Sequence, residues 1–522
     1  MILTRLGLSE EWILVQVSGL PAFGTHDSMH LADLSLSMWQ VVLLALALGL
    51  ALAFEFVNGF HDTANAVATV IYTHSLPAPV AVVWSGIWNF IGVLLSAGTV
   101  AYAIVELLPV DLVMHTGTSA GFAMVFALLA SAIMWNLGTW YLGLPASSSH
   151  TLIGAILGVG IANVMMNHNV ESGVNWGQAR NVVLSLLVSP LIGFIGAALL
   201  LLLTKALVHR PELYRAPEGK KPPPWWIRLI LVLTCTSVSY AHGSNDGQKG
   251  MGLIVVILIG VAPAAFALNM DVTAETMKQL SADTSQLALD FTTMANGAAM
   301  PDKKKEDVIA DFLRDGTKPD GGTYAVLATE MTQINALLGT AATPRDIDGA
   351  NRGSLRAKLF LSSSAIEKLI KTPDAFDTSE KLGVAKQFVG GSNLLVKHIA
   401  LWVKAAVAIA LGLGTMIGWK RIVVTLGEKI GKTHLTYAQG AVSELVTAVT
   451  ISAATVYGLP VSTTHVLSSG IAGSMAANRS GLQARTLRNI LLAWVLTLPV
   501  CVFLGALLFA LALNVVLLFG VR

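Results

Sequence analysis

The chain has 522 residues, of which 54% are hydrophobic and only 12% are charged, and its mean hydropathy is +0.67. A soluble domain carries about 25% charged residues, and a soluble chain of this length divides into domains with polar surfaces. The composition therefore indicates an integral membrane protein. It excludes a disordered chain, a secreted disulfide scaffold and a nucleic-acid-binding protein.

Ten apolar stretches are candidates for membrane spans, since one crossing needs about 20 apolar residues. In chain order they are residues 40–73, 80–105, 119–141, 143–165, 182–208, 225–268, 399–418, 437–457, 459–477 and 487–518. The stretches 40–73 and 225–268 are longer than one crossing needs, and each has a polar, glycine-containing centre. We therefore predict that each forms a discontinuous helix.

Charge is concentrated in residues 270–398, which hold 15 of the 33 Lys and Arg residues and 17 of the 31 Asp and Glu residues. This segment is predicted to be a soluble, mainly helical insert. The whole chain then divides into six parts. They are an N-terminal extracytoplasmic segment (1–39), a first membrane repeat (40–208), a basic cytoplasmic linker (209–224), the start of a second membrane repeat (225–269), the insert (270–398) and the rest of the second repeat (399–518).

Two motifs occur twice in the same order. GFHD at 59–62 returns as GSND at 243–246, and LPASSSH at 144–150 returns as LPVSTTH at 459–465. From aspartate to proline, the first copies are 83 positions apart and the second copies 85, once the 129-residue insert is left out. This agreement predicts a duplicated transporter fold.

Five candidate spans lie on each side of the basic linker, and an odd number per half makes the second repeat inverted. Basic residues are concentrated in the loops 209–228, 419–436 and 478–488. Ten crossings place these loops on one side, which the positive-inside rule assigns to the cytoplasm. Both termini and the insert are then predicted to be extracytoplasmic.

The two long stretches carry polar side chains at the predicted depth of the membrane, where ionisable groups are functional candidates. The sets are Glu55, Asn58, His61, Asp62, Thr63 and Asn65 in the first, and His242, Ser244, Asn245, Asp246, Gln248 and Lys249 in the second. Neighbouring glycines would permit an unwound backbone whose carbonyls and amides meet ions. Glu444, in the stretch 437–457, is a further buried carboxylate candidate.

The two proline-hydroxyl-histidine turns, at 145–150 and 460–465, are predicted to begin helices. Serine and threonine are preferred N-caps, and hydroxyls beside a positive helix start favour an anion. Two symmetric copies in apolar surroundings favour ligand contact over simple capping. The sequence leaves open whether 143–165 and 459–477 cross the membrane or re-enter it.

Residues 58–66 (NGFHDTANA) together with 242–250 (HGSNDGQKG) resemble the paired signature of the inorganic phosphate transporter (PiT) family, and the two turns fit it too. The chain looks closest to the bacterial low-affinity, proton-coupled branch. The resemblance implies an all-α polytopic fold of two inverted repeats, a homodimer, and a multi-pass location in the bacterial inner membrane. It also implies import of phosphate as a neutral complex with a divalent cation such as Mg²⁺, with no permanently bound cofactor.

The resemblance also implies roles for individual residues. Phosphate contacts would come from the hydroxyl-rich turns, namely Ser147, Ser148, Ser149, Ser462, Thr463 and Thr464. Cation-linked positions would be Asp62, Asn65 and Asp246. The polar residues of the apolar stretches complete the predicted coupling-ion or gating set, namely His61, Asn58, Asn245, Lys249 and Glu444. Asp62 and Asp246 are also candidate ligands of the metal that accompanies phosphate.

The chain differs from sodium-coupled members of the family at two positions. His61 stands where they have an asparagine, and Lys249 replaces a later asparagine. A histidine can carry a proton near neutral pH, and a fixed ammonium near Asp246 repels Na⁺. Both differences favour protons as the coupling ion.

Two alternatives remain at this point. A sodium-coupled phosphate or sulfate permease would use similar hydroxyl and amide donors. A membrane-embedded hydrolase would need a nucleophile with a base, and the chain has neither a His-Glu-x-x-His pair nor a Gly-x-Ser-x-Gly elbow. We therefore expect a transporter and not an enzyme.

Overall fold

The computed structural model describes residues 36–108, 118–167, 174, 176–217, 219, 221–313, 317–339, 341–373 and 375–518. The regular structure in these ranges is helical, without a β-strand. The described residues from Met38 onwards form one compact unit. The predicted N-terminal segment 1–39 lies mostly outside the described residues.

The α-helices that precede the insert alternate long apolar elements with shorter ones. They are α1 (Met38–Tyr72), α2 (Ala78–Leu94), α3 (Thr99–Leu107), α4 (Ser119–Tyr141), α5 (Ser148–Asn167), α6 (Trp176–Leu207), α7 (Trp225–Val261) and α8 (Pro263–Phe266). Five helices form the insert: α9 (Ala274–Ala295), α10 (Lys305–Leu313), α11 (Gly321–Leu338), α12 (Gly349–Lys371) and α13 (Ser379–Val396). The remainder comprises α14 (Leu401–Thr415), α15 (Lys420–Glu428), α16 (Tyr437–Val456), α17 (Thr463–Ala477) and α18 (Ala484–Leu518).

The prediction that 40–73 and 225–268 are discontinuous helices was wrong. Both α1 and α7 run unbroken through the polar motif. The glycines serve close packing instead of unwinding. A methyl group on Gly59 would lie 2.3 Å from the carbonyl oxygen of Leu411, and one on Gly243 would lie 2.2 Å from that of Asn89. Glycine is therefore needed where neighbouring helices touch backbone to backbone.

The stretch 80–105, predicted as one span, consists of two helices, α2 and α3, with a bend of 75° between them. Gly98 begins α3 with φ at +88°, a left-handed conformation that glycine adopts at little cost. A second bend of 67° separates α13 from α14. The sequence did not predict the bend between α2 and α3, because hydropathy alone does not show where an apolar stretch divides into two helices.

By length and composition, five of the described helices can cross a membrane, namely α1, α4, α5, α6 and α18, or seven if each bent pair counts as one span. The sequence predicted ten. Helix α17 has 15 residues, about 22 Å at 1.5 Å per residue, and is shorter than a hydrocarbon core of about 30 Å. The multi-pass character is clear, whereas the count of ten crossings and the orientation remain predictions.

The insert is mainly helical, as expected, and has its own apolar core. Buried residues of that core include Leu287, Phe291, Phe312, Met331 and Phe388. The insert also contacts the membrane region. The Lys397 Nζ lies 3.6 Å from Glu106 Oε1, and the Tyr102 hydroxyl donates to the His398 carbonyl at 2.9 Å.

Helix packing positions the site. Helices α1 and α7 pack against each other, and this contact brings the two signature motifs together. Helix α5 packs against α18, and α17 packs against α6. Each hydroxyl-rich turn therefore begins a helix that is held by an element from the other half of the chain.

Candidate functional site

The two signature aspartates meet at one hydroxyl of the first turn. Asp62 on α1 and Asp246 on α7 are both buried. The Ser148 Oγ lies 2.8 Å from Asp62 Oδ2 and 3.4 Å from Asp246 Oδ2. Ser148 is the first residue of α5, so the start of this helix faces both carboxylates.

The second turn approaches the same aspartate from the opposite half of the chain. Thr464 donates from Oγ1 to Asp62 Oδ1 at 2.7 Å, and Asn65 donates from Nδ2 to Thr464 Oγ1 at 2.8 Å. Asp62 thus accepts a hydrogen bond from each hydroxyl-rich turn. Such charge-assisted bonds are stronger than neutral ones, so Asp62 joins the two halves.

The two turns cap their helices in the same way. Ser147 accepts a hydrogen bond at Oγ from the His150 amide at 3.2 Å, and Ser462 accepts one from the His465 amide at 3.2 Å. The predicted capping is therefore confirmed in both copies. The rings of His150 and His465 lie against each other, with centroids 4.5 Å apart.

His242 lies between the two carboxylates and was not among the predicted site residues. Its Nε2 is 3.5 Å from Asp246 Oδ2 and 3.9 Å from Asp62 Oδ2, and its Nδ1 is 2.7 Å from Asn89 Oδ1. One signal was present in the sequence, because residues four apart share a helix face and His242 precedes Asp246 by four. The interpretation of this region as unwound hid that relationship.

The three side chains Asp62, His242 and Asp246 form a possible cation site. Their ligand atoms all lie within 4.8 Å of one another, and all three residues are buried. Carboxylate oxygens suit Mg²⁺ and Mn²⁺, and an imidazole adds affinity for ions such as Zn²⁺. The donor set is therefore chemically suited to a divalent cation, and the role of Asp62 and Asp246 as its ligands stays a prediction.

Lys249 is fully buried and occupies the far side of Asp246. Its Nζ lies 2.7 Å from Asp246 Oδ1 and donates to Ser149 Oγ at 2.5 Å. Ser149 in turn donates to the Val461 carbonyl at 2.8 Å. The ammonium thus connects α7 to both hydroxyl-rich turns, and part of the negative charge of Asp246 is already neutralised.

His61 contacts Asp62 and a neighbouring helix. Its Nδ1 is 3.1 Å from Asp62 Oδ1, and its Nε2 is 3.1 Å from Thr139 Oγ1 near the end of α4. The imidazole therefore links the signature carboxylate to α4.

Other predicted residues lie around this cluster and not within it. Asn245 donates to Thr455 Oγ1 at 2.9 Å and to the Leu459 carbonyl at 3.2 Å, so it holds the second turn in place. Asn58 donates to Glu55 Oε2 at 3.3 Å. Glu55, named in the polar set but not as a site residue, packs directly against Gly250 of α7.

Glu444 forms a separate polar cluster. It accepts hydrogen bonds from Thr69 and Thr234, and the Thr234 oxygen is 2.5 Å from Oε2. Among the described residues, the hydrogen bonds of the Glu444 carboxylate go to these two threonines. The structure therefore does not bring Glu444 together with Asp62 and Asp246.

Four buried side-chain atoms of predicted site residues make no hydrogen bond within the described part of the chain, namely Asn58 Oδ1, Asn65 Oδ1, Asp246 Oδ1 and Thr463 Oγ1. Of these, Asp246 Oδ1 has an ionic partner in Lys249. Such atoms are costly to bury unless they have a partner. A hydroxyl beside a helix start suits an anion, and an amide oxygen beside a carboxylate suits a cation.

Comparison with known proteins identifies the family. The phosphate transporter family matches residues 58–505, which include both motif pairs. The chain is 41% identical to the low-affinity inorganic phosphate transporter PitA of Escherichia coli K12 over 490 residues, covering 91% of this chain and 97% of PitA. It is 40% identical to PitB of the same organism, covering 92% and 99%.

One solved structure has a similar fold. It is described as the sodium-dependent phosphate transporter, and it matches with a TM-score of 0.50 and 19% identity over 91% of this chain and all of that one. This likeness supports the helical fold alone. The relatives' names describe transporters, which supports the expectation that the chain is not an enzyme. The chain belongs to the phosphate transporter family.

Proposed function

We propose that the protein imports inorganic phosphate at low affinity, as a neutral complex with a divalent cation, in symport with protons. The observation that carries this proposal is the position of Ser148, whose hydroxyl contacts both signature carboxylates. Low affinity follows the names of the relatives PitA and PitB. Each further element of the proposal rests on a separate contact.

The phosphate site lies between the two hydroxyl-rich turns. Their helix starts supply partial positive charge and free amides, which favour an anion. Hydroxyls at 147–149 and 462–464 can donate to the phosphate oxygens, and Thr463 has no other partner among the described residues. Because one turn comes from each half of the chain, relative movement of the halves would open the site to alternate sides.

A divalent cation explains why two carboxylates lie beside an anion site. A phosphate anion brought to Ser148 and Thr464 meets the negative charge of Asp62, and Coulomb repulsion in a buried site is large. A cation held by Asp62, His242 and Asp246 would remove this repulsion. The cargo would then be the metal–phosphate pair, with the cation facing the carboxylates.

The charges around Asp246 favour protons over sodium as the coupling ion. The Lys249 Nζ lies 2.7 Å from Asp246 Oδ1 and already occupies the place of a monovalent cation on that oxygen, whereas His242 and Ser148 face the other oxygen, Oδ2. The imidazole of His61 lies beside Asp62, outside the candidate cation ligands, and imidazoles serve as proton shuttles in proteins. The alternative is sodium coupling.

Uptake by the purified protein in sealed vesicles separates these possibilities. Labelled phosphate should accumulate when the outside is more acidic than the inside, with Mg²⁺ present and choline as the only other cation. Adding sodium should not increase the rate. Strong dependence of the uptake rate on sodium at fixed pH would refute proton coupling. An uptake rate that is unchanged after divalent cations are removed would refute the metal–phosphate cargo.

A further inference from the structure

A basic and aromatic cavity lies outside the transport site, where α4 ends and α15 begins. Its volume is about 610 Å³. Cavities of a few hundred to a thousand Å³ accommodate organic ligands of drug size. We call this cavity the basic pocket, and its aromatic and charged lining consists of Trp140, Tyr141, Trp419, Lys420, Arg421 and Lys429.

The pocket carries three positive charges. Lys420, Arg421 and Lys429 are all exposed, and no carboxylate among the described side chains pairs with them. Arg421 is held in position, since its Nη1 donates to the Tyr141 carbonyl at 2.7 Å. Its guanidinium carbon lies 4.8 Å from the centre of the Tyr141 ring and 5.2 Å from that of Trp140, which is cation–π geometry.

The position of the pocket suits the boundary between lipid and water. It lies at the end of α4, one of the helices long and apolar enough to cross a membrane. Tyr141 is 65% exposed and Leu142 is 69% exposed, so the outer rim is aromatic and apolar. Aromatic rings with Lys and Arg are typical of that boundary.

We propose that the basic pocket binds the headgroup of an anionic phospholipid. Three cations match a ligand with more than one negative charge, such as the two phosphates of cardiolipin, and basic pockets between membrane helices bind such headgroups. The volume exceeds what one tetrahedral anion needs, and the apolar rim can receive acyl chains. This assignment does not depend on the coupling ion or on the metal in the proposed function.

The pocket is connected to the signature helix α1. The Trp140 ring packs edge-on against Phe60, with centroids 5.1 Å apart, and its Nε1 donates to the Gly418 carbonyl at 2.7 Å. The preceding residue, Thr139, contacts His61. A lipid that fixes Arg421 against Trp140 therefore holds the end of α4 against the transport motif, and anionic lipid should increase the rate of transport.

The test is native mass spectrometry of the full chain with added cardiolipin or phosphatidylcholine. The parent should retain cardiolipin and not phosphatidylcholine. The double variant Lys420→Gln/Lys429→Gln should bind cardiolipin roughly thirtyfold more weakly, since each basic residue contributes about 1 kcal/mol near an anionic surface. Both lysines are exposed, so the substitutions leave the packing intact.

The matched control is Arg485→Gln/Arg488→Gln, which removes two exposed charges from the start of α18, outside the pocket. Its cardiolipin retention should equal that of the parent. Equal retention by the parent and the lysine variant would overturn the proposal, as would equal binding of phosphatidylcholine. Displacement of cardiolipin by millimolar inorganic phosphate would also overturn it, in favour of a free-phosphate site.

Discussion

Asp62 carries the largest number of polar contacts in the site. Ser148 and Thr464 both donate to it, and the rings of His61 and His242 lie within 4 Å of its oxygens. Each turn belongs to a different half of the chain, so one carboxylate is shared by both. Its charge, and not only its shape, is what the proposed mechanism requires.

Asp62→Asn should therefore reduce phosphate uptake by roughly tenfold or more, because a hydrogen bond to a charged group contributes about 1.5–3 kcal/mol. The substitution keeps the size of the side chain, and the protein should still reach the membrane. The measurement is labelled phosphate uptake, normalised to the amount of protein in the membrane. Asp271→Asn, which changes a carboxylate that is 82% exposed in the insert, is the control and should transport normally. Normal uptake by Asp62→Asn would remove this residue from the mechanism.

Lys249 and Asp246 form a buried ion pair, and removing one partner leaves the other charge uncompensated. Lys249→Met should lower the free energy of unfolding by about 3–5 kcal/mol. The double variant Lys249→Met/Asp246→Asn is neutral at both positions and should recover most of that stability without recovering uptake. Thermal unfolding in detergent, monitored by size-exclusion chromatography, compares the stability of the parent protein and the two variants. A double variant as unstable as the single one would contradict a direct pairing.

The long helices α1 and α7 depend on glycines where they touch other backbones. Gly243→Ala would place a methyl group 2.2 Å from the Asn89 carbonyl oxygen, so α2 and α7 would have to separate. Overpacking of this kind costs about 1–3 kcal/mol or more. The melting temperature should fall, whereas Gly49→Ala on α1, with no atom within 4 Å of the new methyl group, should not lower it, since alanine favours a helix more than glycine does. Equal melting temperatures for the two variants would refute the packing role.

The sequence predicted the parts of the site whose signals are local. Proline followed by serine or threonine marks a helix start, and the caps at Ser147 and Ser462 follow that rule. The repeated motifs selected Asp62 and Asp246, which the fold brings together at Ser148. The helical insert was also predicted, because its charge and amphipathic pattern differ from the membrane stretches.

The remaining features depend on tertiary contacts that a sequence does not contain. A glycine permits either an unusual φ or a close approach, and only the neighbours of Gly59 and Gly243 decide between them. The prediction of an unwound backbone also hid His242, because His242 and Asp246 lie side by side only on a continuous helix. Glu444 looked similar to the other buried carboxylates, yet its threonine partners place it in a separate cluster.

The orientation of the whole molecule in the membrane is a prediction from the positive-inside rule. Both native cysteines, Cys235 and Cys501, are buried, so an added cysteine can be labelled selectively. Ser285→Cys, exposed on α9, should react with a membrane-impermeant maleimide in intact cells. Arg485→Cys should react only after the membrane is disrupted. The reverse pattern would invert the topology and place the insert in the cytoplasm.

In the proposed transport cycle, phosphate travels with a divalent cation held by Asp62, His242 and Asp246. Dual-label uptake measures it most directly, with phosphate and a divalent metal such as Mn²⁺ carrying separate labels in sodium-free vesicles under an inward proton gradient. Both labels should accumulate in a constant ratio, and His242→Ala should lower the uptake of both together. Accumulation of phosphate without the metal would contradict this transport cycle.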